Sequence, residues 1–323
     1  MSIGLGGETV EAWVSGPLGE QIRAKYCIIN GQTAVIEMAA AAGLPLVPPA
    51  LRNPMNTTTY GVGELIRDAI SRGCRSFIIG IGGSATNDGG MGMLSALGFE
   101  FFDKDGNTPS LGAKGLEFLN HISLQNAIPE LGECSFRVAC DVTNPLCGEQ
   151  GCGAVYGPQK GASAESIRHM DAWLSKYAET AKSIFPNADP EYPGAGAAGG
   201  LGFAFMTFLG ASLESGIKII LDETELEKYV ANADLVITGE GRLDRQSVMG
   251  KAPIGVAKLA KKHGKRVIAF AGCVTEDAEE CNKHGIDAFF PIVRGVTTLG
   301  EALDRDNAYK NLEATAYQVF GLV

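Results

Sequence analysis

The chain has 323 residues, more than one compact core usually holds, with 45% hydrophobic and 20% charged residues and a net charge of −10. That composition excludes a disordered chain, and the acidic balance argues against nucleic acid as a partner. The longest apolar stretch, Met38 to Pro49, is too short for a bilayer and holds prolines, and the N-terminus lacks a basic segment ahead of an apolar one, so no membrane association or signal peptide is expected. Eight cysteines without such a signal suit reduced thiols and a cytoplasmic location.

The first elements read as a meander. Thr9–Ser15, Arg23–Ile29 and Ala34–Glu37 alternate as strands, the last two joined by Asn30-Gly31. Val62, Leu65, Ile66, Ala69 and Ile70 recur at helical spacing, with N-caps available at Thr57 to Thr59 and a C-cap at Gly73. Ser76–Gly80 is then a buried strand feeding a first glycine-rich loop, Gly80-Ile-Gly-Gly-Ser-Ala-Thr-Asn-Asp-Gly-Gly90. Phe136–Cys140 is another strand, and it leads into Ala139-Cys-Asp-Val-Thr-Asn-Pro145. A long helix follows Ser163, with Ile167, Met170, Leu174, Tyr177, Ala181 and Ile184 in one stripe. A break over Pro186 to Pro193 precedes the third loop, Gly194-Ala-Gly-Ala-Ala-Gly-Gly200. From about residue 231 strands and helices alternate: strand 234–238, the loop Thr238-Gly-Glu-Gly-Arg-Leu-Asp244, helix 253–263, strand 266–270, a helical 275–284, strand 288–293, and helices 298–304 and 308–319. Alternation of this kind means parallel strands with crossover helices.

Glycine-rich loops after strands expose backbone N–H groups that cradle anions. In the first loop, Gly82, Gly83, Ser84, Thr86, Asn87 and Asp88 are candidates for binding phosphate or a small carboxylate. The same loop satisfies G-x-G-x-x-A, with Glu100 and Asp103 where a ribose ligand would fall, so an NAD(P)-dependent dehydrogenase is a competing reading. Against it, Asn87-Asp-Gly-Gly90 interrupts the helix that a dinucleotide site needs. Asp141 ends a strand and suits a general base or Mg²⁺ ligand; an Asx-turn into Asn144-Pro145 is the alternative. Lys160, between glycines ahead of a helix, either reaches a phosphate or is a solvated turn lysine. Glu240, Arg242, Asp244 and Lys251 combine acidic groups that suit Mg²⁺ with cations that neutralise phosphate, the division that phosphoryl transfer uses; a surface ion-pair cluster is the alternative. Cys140, Cys147 and Cys152 lie close in sequence but lack C-x-x-C spacing and a nearby histidine, so they read as packed thiols.

Together and in order, these motifs resemble the bacterial glycerate kinase family. The resemblance rests on Gly80 to Met93, Ala139 to Leu146, Tyr156-Gly-Pro-Gln-Lys-Gly-Ala162, Gly196 to Gly202, and Ile237 to Asp244 with Gly250-Lys-Ala-Pro253. It implies ATP-dependent phosphorylation of D-glycerate, giving 2-phosphoglycerate in the glycerate 2-kinase branch, with ATP and Mg²⁺ as cofactors. It implies an α/β fold of two domains: a large mixed α/β insert over residues 6–230, and a partial flavodoxin-like parallel domain over 231–323. It also implies that an N-terminal family segment with two further motifs lies ahead of Gly6 and is lacking, which makes an inactive kinase-like fragment, or a homodimer formed through an exposed sheet, a rival expectation. The site residues expected are Asp141, Glu240, Asp244, Arg242 and Lys251 for catalysis. Gly82, Gly83, Ser84, Thr86, Asn87, Asp88, Lys160, Gly199, Gly200 and Gly239 are expected to bind substrate and phosphate, and Asp141 and Glu240 to hold Mg²⁺.

Overall fold

A computed structural model describes residues 5–321. Its first strands are β1 (Glu8–Ser15), β2 (Gln21–Ile29) and β3 (Thr33–Glu37), paired antiparallel in sequence. Asn30 (φ 52°) and Gly31 (φ 70°) turn β2 into β3 in the left-handed region, as their dipeptide predicts. β4 (Ser76–Gly80) lies parallel to β3. β5 (Glu100–Phe102) and β6 (His121–Ser123) form a small separate antiparallel pair. β7 (Ser135–Ala139) and β8 (Ser212–Glu214) complete a six-stranded sheet in the order β1-β2-β3-β4-β7-β8. The parallel register sets Glu37 beside Gly80, Gly80 beside Ala139, and Ala139 beside Glu214. Four strands therefore end at one level, and the loops that leave them start together.

Helices of this part of the chain bury apolar stripes. Tyr60–Ser71 inserts Val62, Leu65, Ile66, Ala69 and Ile70. Ala164–Lys182 is capped by Ser163, whose side chain accepts from Ser166 N–H, and buries Met170, Leu174, Tyr177 and Ala181. Phe77 on β4 stacks on Phe136 on β7 with ring centroids 4.8 Å apart. The third glycine loop continues, unforeseen, into a helix over Ala197–Leu209. Ala198, Gly199 and Gly200 are left-handed and break its first turn, so regular helix begins only after Gly200.

Contacts divide the chain into two compact units, the first up to Gly216 and the second from Ile217 onward. The expected boundary lay near residue 230. Residues 217–230 belong with the later unit because Ile217 packs on the helix Ala252–Lys262, its Cγ1 only 2.3 Å from where a Cβ on Gly255 would stand.

The second unit holds β9 (Leu235–Leu243), β10 (Arg266–Val274) and β11 (Ala288–Pro291) in a parallel sheet of order β11-β10-β9. Residues 238–243 were expected to be a loop. They are strand, paired with β10 from Leu235↔Arg266 through Leu243↔Val274. Gly239, Gly241 and the charged residues between them hid that strand, because glycine and charge are depleted in strands. Helix Ala252–Lys262 has Pro253 in its first turn, carries Lys261 and Lys262 in its last turn and is followed by Gly264 at φ 66°, as its sequence signals predict. Val267, Ala269 and Ala271 pack in one core, while Ile268 and Phe270 pack with Val319 of the helix Arg305–Phe320 in another. The alternation of β10 thus feeds both faces of its sheet.

Candidate active site

A cavity of about 310 Å³ opens beyond the carboxyl ends of β4 and β7, where open α/β sheets place their ligands. Ile81 to Ser84 form one wall, Ala139 to Val142 another, and Tyr156, Gln159 and Lys160 a third. The loop that forms the first wall is tied down. Leu44 N–H donates to the Gly83 carbonyl at 2.8 Å, and Ala85 N–H to the Ala42 carbonyl at 2.9 Å. Gly83 is left-handed at φ 73°. Among the described residues, no protein acceptor meets the N–H of Gly82 or Gly83, which leaves two donors for a ligand.

Lys160 is not a solvated turn lysine. It is 2% exposed, and its Nζ donates to Ser84 Oγ at 2.8 Å and to the Thr86 carbonyl at 2.6 Å. Burial pulls its pKa down to about 8, with Cys152 and Asp88 opposing the shift. An ammonium has three donors, so one remains beyond these two contacts.

Asp88 is fully buried and faces away from a catalytic role. Its carboxylate accepts from Thr59 N–H at 2.8 Å, Thr59 Oγ1 at 2.9 Å, Thr58 Oγ1 at 3.4 Å, Gly90 N–H at 3.1 Å and Gly92 N–H at 3.3 Å. Burial pushes this carboxyl above the usual range, and the N–H and O–H donors resist that push. Asp88 does not line the cavity; it organises the turn into the helix Met91–Ala96. Thr57, Thr58 and Thr59, expected as helix caps, spend their hydroxyls inside instead, Thr57 on the Ala85 carbonyl at 2.8 Å and the other two on Asp88. A run of three threonines ahead of a helix was the only sequence sign of this network.

Thr86 and Asn87 are buried behind the cavity wall, and neither the Thr86 hydroxyl nor the Asn87 amide has a protein partner. Gly199 and Gly200 also sit behind the wall. Gly199 (φ 71°) leaves no room for a side chain, because its Cβ would lie 2.1 Å from the Thr86 carbonyl oxygen. Its own carbonyl accepts from Gly89 N–H at 3.0 Å. The first and third glycine loops are therefore backbone-to-backbone partners.

Asp141 lines the cavity, and its Oδ1 accepts from Gly216 N–H at 3.0 Å. The Asx-turn into Asn144 is not formed: Asn144 instead donates to the Gln150 carbonyl and accepts from Tyr156 Oη at 2.6 Å. Tyr156 and Gln159 were not singled out as site residues, although they belong to the Tyr156 to Gly161 motif.

The remaining candidates gather in the second unit. Glu240 and Arg242 stand on β9, with Asp244 just beyond its end. Lys251 Nζ lies 3.8 Å from Glu240 Oε1 and 3.7 Å from Asp244 Oδ1, and Arg242 Nε lies 3.4 Å from Asp244 Oδ2. Asp244 also caps the turn Arg245–Met249 through a reciprocal pair with Ser247. Glu240 Oε2 is buried without a hydrogen-bond partner. Gly239 packs its backbone on the Phe270 carbonyl as part of the strand rather than forming a loop.

The dinucleotide reading fails on geometry. The next helix after Gly80 to Ala85 begins at Met91, so no helix N-terminus stands at the third fingerprint position. Among the described residues no cluster of three metal-ligating side chains occurs, and all eight cysteines are free.

A model of the glycerate kinase family matches residues 1–323. The chain belongs to that family. It is 51% identical over 302 residues to a glycerate 2-kinase of Escherichia coli strain K12, covering 93% of this chain and 79% of that protein. It is 48% identical to a glycerate kinase of Haemophilus influenzae, covering 97% of this chain and 82% of that protein. Among solved structures it resembles "putative glycerate kinase 2" from Salmonella typhimurium LT2, with a TM-score of 0.89 at 47% identity over 99% of this chain and 83% of that one. The mixed α/β architecture expected from sequence is thus shared with a family structure. The match to residues 1–323 lends no support to the expected missing N-terminal segment. No helix among the described residues is long and apolar enough to cross a membrane.

Proposed function

We propose that this chain transfers the γ-phosphoryl group of ATP to D-glycerate, giving 2-phosphoglycerate and ADP. The observation that carries this reading is the cavity at the ends of β4 and β7, in which the N–H groups of Gly82 and Gly83, the Ser84 hydroxyl and the buried Lys160 converge. Such a donor set suits the oxyanions of a small acid and of phosphate. The C2 hydroxyl oxygen of glycerate attacks the γ-phosphorus, the bond from that phosphorus to the bridging oxygen of ADP breaks, and the hydroxyl proton passes to Asp141, the carboxylate at the cavity wall. Transfer to C2 rather than C3 is supported by the likeness to the Escherichia coli glycerate 2-kinase.

Arg242 and Lys251 neutralise phosphate charge in this reading, and Asp244 holds both through loose ion pairs. Mg²⁺ accompanies ATP. It is commonly held by one or two carboxylates plus the phosphates rather than by a protein cage, so the lack of a three-ligand cluster among the described residues is compatible with it. Glu240, with a buried carboxylate oxygen that has no protein partner, fits that ion and would hold it. When bound, Mg²⁺ screens the charge of the transferring group. Eight free thiols accord with a cytoplasmic setting. Coupled measurement of ADP release tests the reading: D-glycerate should give saturable turnover with ATP, and release no faster than the blank without glycerate would sink it.

A further inference from the structure

We infer that Lys160 is a positioning residue that fixes the Ser84 hydroxyl as a donor toward an oxyanion in the cavity, and that Ser84, not Lys160 alone, reads that oxyanion. The inference rests on the kinase reading for its choice of ligands, but not for its geometry.

Lys160 Nζ lies 2.8 Å from Ser84 Oγ and 2.6 Å from the Thr86 carbonyl. A carbonyl only accepts, so the second contact is a donation from the lysine. An ammonium cannot accept, so the first contact is also a donation, and it occupies a lone pair of Ser84 Oγ. Ser84's own proton must then point elsewhere, and no protein acceptor meets Ser84 Oγ among the described residues. Ser84 lines the cavity beside Gly82 and Gly83. The hydroxyl is left as a donor for what enters the cavity, next to the two unmet N–H groups. A buried hydroxyl without such a pairing is free to rotate and offer a lone pair, which would repel an anion.

The lysine also makes the arrangement sensitive to pH. The groups that face it are the Cys152 thiol, the Asp88 carboxyl, Ser84 and the Thr86 carbonyl, with Tyr156 and Asp141 on the other cavity walls. Burial pushes the Cys152 thiol up to about 12, so it stays protonated through the neutral range. Burial brings Lys160 down to about 8. Neutral Lys160 has a lone pair and can accept from Ser84, which turns the hydroxyl inward and removes a donor from the cavity.

The ligand chemistry is an oxyanion, and two sources carry it: the carboxylate of glycerate and a phosphoryl group of the nucleotide. Calorimetric titrations of D-glycerate, ADP and sulfate, each alone, into wild type and Ser84→Ala at pH 6.5, 7.5 and 9 separate them. The ligand seated at Ser84 should bind about tenfold more weakly to Ser84→Ala at pH 6.5, the effect of one charge-assisted hydrogen bond, while the other ligand changes little. Wild-type binding of that ligand should weaken between pH 7.5 and 9, and Ser84→Ala should lose this dependence. The inference is overturned if Ser84→Ala binds all three within twofold of wild type, or if it keeps the wild-type pH profile, because Lys160 would then act through its own charge. Lys160→Met should abolish the pH profile too; if that variant does not fold, the Ser84→Ala profile decides alone. Should sulfate follow Ser84 while D-glycerate and ADP bind to neither protein, the kinase reading fails and the inference stands.

Discussion

The two clusters of candidate residues are built differently. In the first unit Lys160 and Asp88 are buried and held before any ligand arrives, Lys160 by Ser84 and Thr86 and Asp88 by five donors, while Asp141 alone of the charged candidates there stays exposed. In the second unit Glu240, Arg242, Asp244 and Lys251 form ion pairs at 3.4 to 3.8 Å, with Arg242 61% exposed. Pairs at such distances and exposures contribute little to stability and exchange readily for a ligand. The contrast separates groups that shape a cavity from groups free to meet a mobile, highly charged ligand. It also means that substitutions in the two clusters should show in different measurements.

The largest effect is expected at Asp88. Asp88→Ala leaves five buried donors without their acceptor and should lower the unfolding free energy by about 4 kcal/mol in urea titration. A loss below about 1 kcal/mol would erase the contrast. Lys160 comes next, through pH. Its folded value of about 8 lies below the ordinary 10.5, so the folded state carries a charging penalty below pH 8. The unfolded chain binds more protons between these values, and the penalty is relieved as pH rises from 8 to 10.5. Wild type should therefore gain up to about 3 kcal/mol relative to Lys160→Met across that window. A stability difference independent of pH would show that the lysine is not buried as a cation. Gly199→Ala should cost about 2 kcal/mol, from its left-handed backbone and the displaced Thr86 carbonyl, and should reduce turnover with it. Arg242→Ala should leave stability within about 0.5 kcal/mol yet raise the KM for ATP about tenfold. A change in melting temperature without a change in KM would reverse the assignment of that cluster.

How much of this could be read from sequence follows the same division. Strands with apolar alternation, the helix after Ser163, and the helix from Pro253 to Lys262 were legible, because local pattern and tertiary burial agree there. The extension of β9 through Gly239 to Leu243 was not, since pairing with β10 overrides the poor strand propensity of glycine and charge. Gly82, Gly83, Ser84, Asp141 and Lys160 were named as site residues, and they line one cavity. Burial was the part that sequence concealed. Asp88 looked like a residue that binds phosphate or a small carboxylate, and only the fold shows Thr58, Thr59 and two glycines from separate segments closing over it. Residue 217 as a unit boundary was likewise invisible, because the fit of Ile217 against Gly255 is a contact between distant positions.

Phosphorus NMR of a reaction containing the purified chain, ATP, Mg²⁺ and D-glycerate tests the central claim most directly. The account predicts a new phosphate-ester resonance split into a doublet by the single C2 proton, growing as the γ-phosphate signal of ATP declines. A triplet from a C3 ester would contradict the site of transfer, and a spectrum in which no ester appears while ATP persists would contradict the proposed function itself.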